Sequence, residues 1–187
     1  MRTALCLLSL IVLTALLPVP VVQAQAVRVV VVADFANISV DSGLLPASYL
    51  SEVLRTLLQQ RLPGQWRVVS GESVRAAMRA RGYTQEDLIY PARVSEIAQS
   101  LGADWVITGT WSQLRIISRG TPETPPGIRQ SDAFAIADVE IRVLEALSRR
   151  RLLEDRFSGR APGGDRGSLL LAATEALRDA AGRIARL

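Results

Sequence analysis

The sequence predicts an α/β fold: a single-domain sandwich built on one mixed sheet, in the order β-α-β-α-α-β-β-β-α, with an antiparallel C-terminal meander. Three observations predict it. Val27–Phe35 (VRVVVVADF) is a nearly continuous β-branched run, which reads as a strand covered on both faces. Leu50, Val53, Leu54, Leu57 and Leu58 then recur at helical spacing, as do the apolar residues of two later segments, so helices follow that strand. Near the other end, Ala135–Leu147 alternates. Ala135, Ala137, Val139, Ile141, Val143 and Leu147 share one side and Asp138, Glu140 and Arg142 the other, the mark of a half-buried antiparallel strand.

The first 26 residues read as a secretory signal peptide. Arg2 supplies a positive charge. Ala4–Leu17 is apolar apart from Ser9 and Thr14, and Pro18 and Pro20 end the run. Val22-Gln23-Ala24 or Ala24-Gln25-Ala26 offers the small residues that a signal peptidase needs. A run of 14 residues is short of the ~20 that span a bilayer, so cleavage and a periplasmic location are expected. Cys6 lies near the start of that run, where it does not mark a lipid attachment site. The folded domain is then 27–187.

Within it, 37–43 is a polar loop and Pro46 suits the first turn of a helix that Pro63-Gly64 stops. Trp66–Val69 is a short strand. Ser70 caps the next helix, with Val74, Ala77 and Met78 inward and Gly82 at its end. Thr84–Asp87 is a variant capping box. Pro91 opens a helix that buries Val94, Ile97, Ala98 and Leu101 and closes at Gly102. Asp104–Ile117 is a strand, followed by an irregular stretch over Arg119–Ser131 with three prolines and two glycines. After the alternating strand, Arg149-Arg150-Arg151 marks a turn and Leu152–Phe157 its hairpin partner. Ser168 is placed to cap a last helix, with Leu170, Ala173, Leu177, Ala181 and Ile184 inward and Asp165 near its positive end.

Composition excludes much chemistry. Of 187 residues, 22 are basic, all of them arginine, and 18 are acidic; there is no histidine, no lysine, and no cysteine beyond Cys6. No imidazole means no Ser-His-Asp triad and no histidine metal ligand. No further thiol means no disulfide, zinc–thiolate site or cysteine nucleophile in the mature chain. No lysine means no Walker-type loop and no Schiff base. The sequence therefore predicts a protein that is not an enzyme, with no catalytic, cofactor-binding or metal-binding residues. The small positive surplus does not point to nucleic acid.

Three stretches carry a family resemblance. Asp34-Phe35-Ala36-Asn37-Ile38-Ser39 closes the first strand. Ala98–Trp111 contains Leu101-Gly102-Ala103-Asp104 followed by Trp105-Val106-Ile107 and Gly109. The meander Asp138–Phe157 leads into an Ala-rich helix. Together they resemble the periplasmic superfamily of TolB amino-terminal-domain-like and CsgG–FlgO–LpoB-like proteins. Asp34 stands where that family usually has proline, and Glu145–Arg149 lacks the glycine of its hairpin turn. The resemblance implies a periplasmic accessory or assembly protein that binds other envelope proteins or itself as a homo-oligomer, with peripheral outer-membrane association. The alternative it implies is an oligomeric, curli-type outer-membrane secretion component like CsgG.

The candidate partner-binding residues are Trp111, Arg149, Arg150 and Arg151. Trp105 and Trp111, six apart, face one side of a strand; Trp105 reads as core, and Trp111 runs toward an exposed loop where a partner could meet it. The three arginines suit lipid phosphates or an acidic partner, or a solvated turn. Arg75, Arg79 and Arg81 read as a solvated helix face. Asp34, at the carboxyl end of the first strand, is the most site-like carboxylate, but no glycine-rich phosphate loop follows it. Asp104 is expected to hydrogen-bond within its own turn.

Overall fold

The computed structural model describes residues 26–37, 47–84, 86–119 and 132–187. The expectations for the leader, for Pro46 and for most of the Arg119–Ser131 stretch fall outside those residues. Strand β1 (Arg28–Val32) leads into a two-residue β2 (Ala36–Asn37) and helix α1 (Ala47–Arg61). Strand β3 (Trp66–Val68), helix α2 (Gly71–Ala80), a 3-10 turn at Glu86–Ile89 and helix α3 (Pro91–Ser100) follow. The second half is β4 (Trp105–Arg119), β5 (Asp132–Glu145), β6 (Arg151–Pro162) and α4 (Arg166–Ile184). The sheet runs β3-β1-β4-β5-β6, with β2 pairing with β4. The β3, β1 and β4 strands are parallel; β4, β5 and β6 form an antiparallel meander. The single mixed-sheet α/β domain and its element order are as the sequence predicts.

The valine run explains the layering. Alternate side chains of a strand point to opposite faces. Val30 and Val32 meet Leu50, Leu54 and Leu58 of α1 and the alanine-rich face of α4. Val31 and Ala33 meet Val74, Met78, Val94 and Ile97 of α2 and α3. The α4 stripe (Ala172, Ala173, Ala176, Ala180, Ala181) is fully buried, and its small side chains let the helix lie close on the sheet. Closest approach is at Gly159 of β6, where a Cβ would fall under 3.0 Å from the Ala172 carbonyl and the Ala176 nitrogen. Among the described residues, no helix covers the other face of the meander over much of its length. Glu140, Arg142, Glu154 and Arg156 line it instead.

Local signals hold where the chemistry is local. Ser70 Oγ accepts the Ser73 N–H at 3.3 Å, Pro91 is the first residue of α3, and Gly82 and Gly102 end α2 and α3 with φ of +67° and +63°. Asp87 accepts the Thr84 N–H at 2.8 Å, the capping contact expected there. Four expectations change. Leu147, expected on the covered side of the alternating strand, lies beyond its end at Glu145 and is 84% exposed. The hairpin partner extends to Pro162, because β5 pairs along nearly its whole length. The cap of α4 is Asp165, whose Oδ1 accepts the Ser168 N–H at 2.8 Å and the Ser168 hydroxyl at 2.7 Å; Arg166 is the first helical residue, so Ser168 lies too far inside to cap. Asp138, expected in solvent, is buried beneath Arg156 and Ser158 of the neighbouring strand.

Candidate functional site

Two constructions stand out, one at the carboxyl end of β1 and one on the uncovered sheet face. At the first, the strand slips by one residue. Val32 pairs with Ile107, but Ala36 pairs with Thr110, so one extra residue is accommodated on the β1–β2 side. Asp34 lies two residues beyond Val32, on the face of the sheet that α1 covers. There it meets Arg55, whose Nη2 donates to the Val32 carbonyl at 2.5 Å and to Asp34 Oδ1 at 3.1 Å. Arg55 Nη1 lies 2.8 Å from Glu52, and Arg75 of α2 approaches Asp34 at 3.6 Å and Glu52 at 3.5 Å. Ser51 Oγ accepts the Phe35 N–H at 3.0 Å. Arg55 is 2% exposed and Asp34 6%. Two guanidinium groups face two carboxylates, so the knot is electrically closed and ties β1, α1 and α2 together.

The signal for Arg55 was present in the sequence. Ser51, Leu54, Arg55 and Leu58 lie at i, i+3, i+4 and i+7, so Ser51 and Arg55 sit on the buried flank of the stripe that Leu54 and Leu58 define. Gly71, at the start of α2, makes room. A Cβ there would overlap the carboxylate of Glu52 and the guanidinium of Arg55.

The second construction is a cleft of about 230 Å³ between the start of α3 and the meander. Its apolar wall is Leu88, Ile89, Pro91 and Val94. Its floor is Thr108–Thr110, and its polar wall is Arg142, Arg151 and Glu154. Arg142 bridges Glu140 at 2.5 Å and Glu154 at 2.7 Å, and Arg151 pairs with Glu154. Ile89 and Tyr90 stand in solvent at 48% and 53% exposure. Arg93 lies 5.3 Å from the centre of the Tyr90 ring and 5.5 Å from that of Tyr83. The Tyr83 hydroxyl donates to Glu96, which holds its pKa above the ordinary tyrosine value. An apolar lip beside a ladder of paired charges suits the docking of a protein segment, where aromatic anchors carry binding energy. Neither Ile89 nor Tyr90 stands out in the sequence, because the 3-10 turn that ends at Ile89 and the cap position that Tyr90 occupies have no periodic pattern.

The predicted partner-binding residues separate. Trp111 is a correction: it is 1% exposed, with its ring 5.9 Å from that of Phe35 in the core. The α1 and α4 layer covers that face of β4, so Trp111 presents nothing to a partner. Its Nε1 has no hydrogen-bond partner among the described residues. Trp105 is core, as expected, with its ring 4.2 Å from that of Trp66 and tilted to it by 46°. Arg149 occupies the turn with φ of +59° and is exposed. Arg150 approaches Glu145 at 3.5 Å, and Arg151 belongs to the charge ladder. The three arginines are thus consecutive in sequence but differently engaged. Arg75, expected on a solvated face, is half-buried in the Asp34 knot. Asp104 also differs. Its Oδ2 accepts the Val29 N–H at 2.7 Å, so it fastens the start of β1 rather than its own turn. It does so at the rim of a wider dish of about 670 Å³ that Arg28, Trp105, Glu145 and Leu147 also line.

No family model matches the chain, and no curated protein sequence matches it. Solved structures do. The lipoprotein GNA1162 from Neisseria meningitidis aligns with a TM-score of 0.58 at 17% identity, over 86% of this chain and 99% of that one. The hypothetical protein CT253 from Chlamydia trachomatis aligns with a TM-score of 0.53 at 12% identity, over 84% and 95%. The LpoB C-terminal domain from Escherichia coli gives 0.48 at 16% identity, over 79% and 91%. The chain shares its fold with a bacterial lipoprotein.

Proposed function

We propose that this chain is a non-enzymatic accessory protein of the bacterial envelope that works by binding other envelope proteins. The observation that carries the reading is the cleft, with two exposed apolar side chains, Ile89 and Tyr90, beside the Arg142–Glu154 ladder. Three further facts support it. The fold is that of a bacterial lipoprotein along nearly the whole of that molecule. The leader has the grammar of a secretory signal. Asp34, a buried carboxylate at a strand end, is spent on Arg55 and Arg75. Membership of the TolB–CsgG–LpoB-like superfamily belongs to the same proposal; it rests on the Leu101–Asp104 motif and the meander.

The test is site-specific photo-crosslinking in an expressing bacterium. Probes at Ile89 and Tyr90 are expected to capture an envelope protein, or a second copy of the chain. A probe at Leu171, exposed on α4, is expected to capture neither. Charge insertion by Ile89→Asp should abolish the adduct at Tyr90. Equal labelling at all three positions, or none at any, overturns the proposal. So does turnover of a substrate that Asp34→Asn abolishes.

A further inference from the structure

The domain is electrically lopsided, and the lopsidedness points at the leader. Because β1, β3 and β4 are parallel and β5 is antiparallel to β4, the start of β1, the start of β4 and the β5–β6 turn lie at one end of the sheet. The Asp104 N–H donates to the Val29 carbonyl, and the Ala146 N–H to the Asp104 carbonyl, which closes that end. Helices α1 and α4 also finish there. Arg61 donates to the Arg178 carbonyl at 2.9 Å, and the Arg28 N–H to the Gln65 carbonyl at 2.8 Å.

Six exposed arginines gather at this end: Arg28, Arg61, Arg149, Arg150, Arg183 and Arg186. Two carboxylates accompany them, Asp104 and Glu145, and these are held by Val29 and Arg150. One turn back on α4, Arg178 and Asp179 cancel. The local surplus of four side-chain charges exceeds the surplus of three over all of 27–187, so the remainder of the domain is slightly acidic. Among these arginines project Val27, Leu147 and Leu187, at 59%, 84% and 50% exposure. The chain enters the domain here. Only ten residues separate the last residue of the apolar run Ala4–Leu17 from Arg28.

We infer that this end lies against an anionic lipid bilayer, with the arginines at headgroup phosphates and Leu147 in the interfacial region. The occupant is chosen by chemistry and by continuity. Guanidinium groups bind phosphate oxygens in pairs, and apolar side chains among basic ones favour the headgroup boundary over a polar partner. In the uncleaved precursor the apolar run Ala4–Leu17 precedes this same end of the chain. The arrangement leaves the Ile89–Tyr90 cleft, on the sheet face beside α3, free for a protein, so the inference goes beyond the function proposed above.

The test uses the chain in whichever form an expressing bacterium leaves it. It carries an environment-sensitive probe at Leu147→Cys in a Cys6→Ser background, mixed with or reconstituted into phosphatidylglycerol-rich or pure phosphatidylcholine bilayers. The probe is expected to report an apolar environment only with phosphatidylglycerol. Added salt should reverse the response. Each interfacial arginine contributes about 1 kcal/mol, about fivefold in binding, so Arg149→Gln, Arg183→Gln and Arg186→Gln together should weaken it about a hundredfold. All three are exposed, so the thermal transition should not move. Arg160→Gln and Arg166→Gln, exposed near the opposite end of the sheet, should leave the response intact. An equal response in both lipids overturns the inference, as does indifference to salt or tighter binding to polyglutamate or duplex DNA at the same ionic strength. Loss of the Tyr90 crosslink would leave it standing.

Discussion

Removing the charge on Asp34 while keeping its shape should expose how much the fold depends on the knot at the end of β1. In the native protein Arg55 is 2% exposed and has three oxygen partners: the Val32 carbonyl at 2.5 Å, Asp34 at 3.1 Å and Glu52 at 2.8 Å. Asp34→Asn leaves that guanidinium facing a neutral amide. Breaking one side of a buried ion pair costs about 3–5 kcal/mol, because the remaining charge cannot return to water. Glu52 stays in place and is half exposed, so the lower figure, about 3 kcal/mol, applies. At about 2–4 °C per kcal/mol for a domain of this size, the transition should fall by about 6–12 °C. Urea denaturation of four proteins decides it: the parent, Asp34→Asn, Arg55→Met and the double variant. Removing both partners lets an apolar side chain fill the site and releases Glu52 to solvent. The double variant should therefore lose less than the sum of the singles, by at least about 1 kcal/mol. A loss below about 1 kcal/mol for Asp34→Asn, or strictly additive singles, would refute the reasoning.

Other expectations follow from single contacts. Gly159→Ala should be more damaging than most glycine substitutions, since the new Cβ meets the α4 backbone and the helix must move off the sheet; a loss above about 3 kcal/mol by thermal or urea denaturation checks this. Gly71→Ala should cost about 1–3 kcal/mol, and less in an Arg55→Met background, because the guanidinium it strikes is gone and the Glu52 carboxylate it also strikes is released from that ion pair. Trp111→Ala should cost about 3–5 kcal/mol, whereas Trp111→Phe, which also removes an unpartnered Nε1, should cost far less. Asp138 gives a pH signature. Burial raises its pKa, but the Ser158 hydroxyl and the Arg156 guanidinium outweigh that and hold it below the ordinary value of 3.8. A carboxylate whose folded pKa is depressed contributes stability that is complete above its unfolded value and is lost as pH falls through the folded one. The parent should therefore lose more stability than Asp138→Asn between neutral pH and acid, measured as the denaturation midpoint against pH.

Much of the fold is legible in the chain because its causes are local or periodic. Gly82 and Gly102 end helices through a backbone conformation that other residues reach only with strain. The valine run and the alternating strand state which faces are covered. The cap of α4 is the instructive exception. Asp165 and Ser168 are both competent caps, and which one serves depends on where the first helical residue falls, a matter of one turn of chain geometry. The candidate site is less legible. Trp111 and Arg149–Arg151 are adjacent to exposed segments in sequence, yet Trp111 lies under a helix layer, and Arg150 and Arg151 pair with different carboxylates. The cleft joins residues from the 3-10 turn, α3, β4, β5 and β6, and no short spacing brings those together.

By itself the sequence determined the layered α/β order, the two-sided burial of the first strand, the helix ends and a side-chain repertoire without imidazole, amine or, beyond Cys6, thiol. Each of these follows from a residue's own chemistry or from a period of two or 3.6. Only the tertiary structure decided that Asp34 faces Arg55 instead of solvent, that Trp111 is core, and that arginines from positions as far apart as 28 and 186 collect at one end. Those outcomes depend on which helices cover each face of the sheet and on which way its strands point, and neither is written in any local stretch of chain.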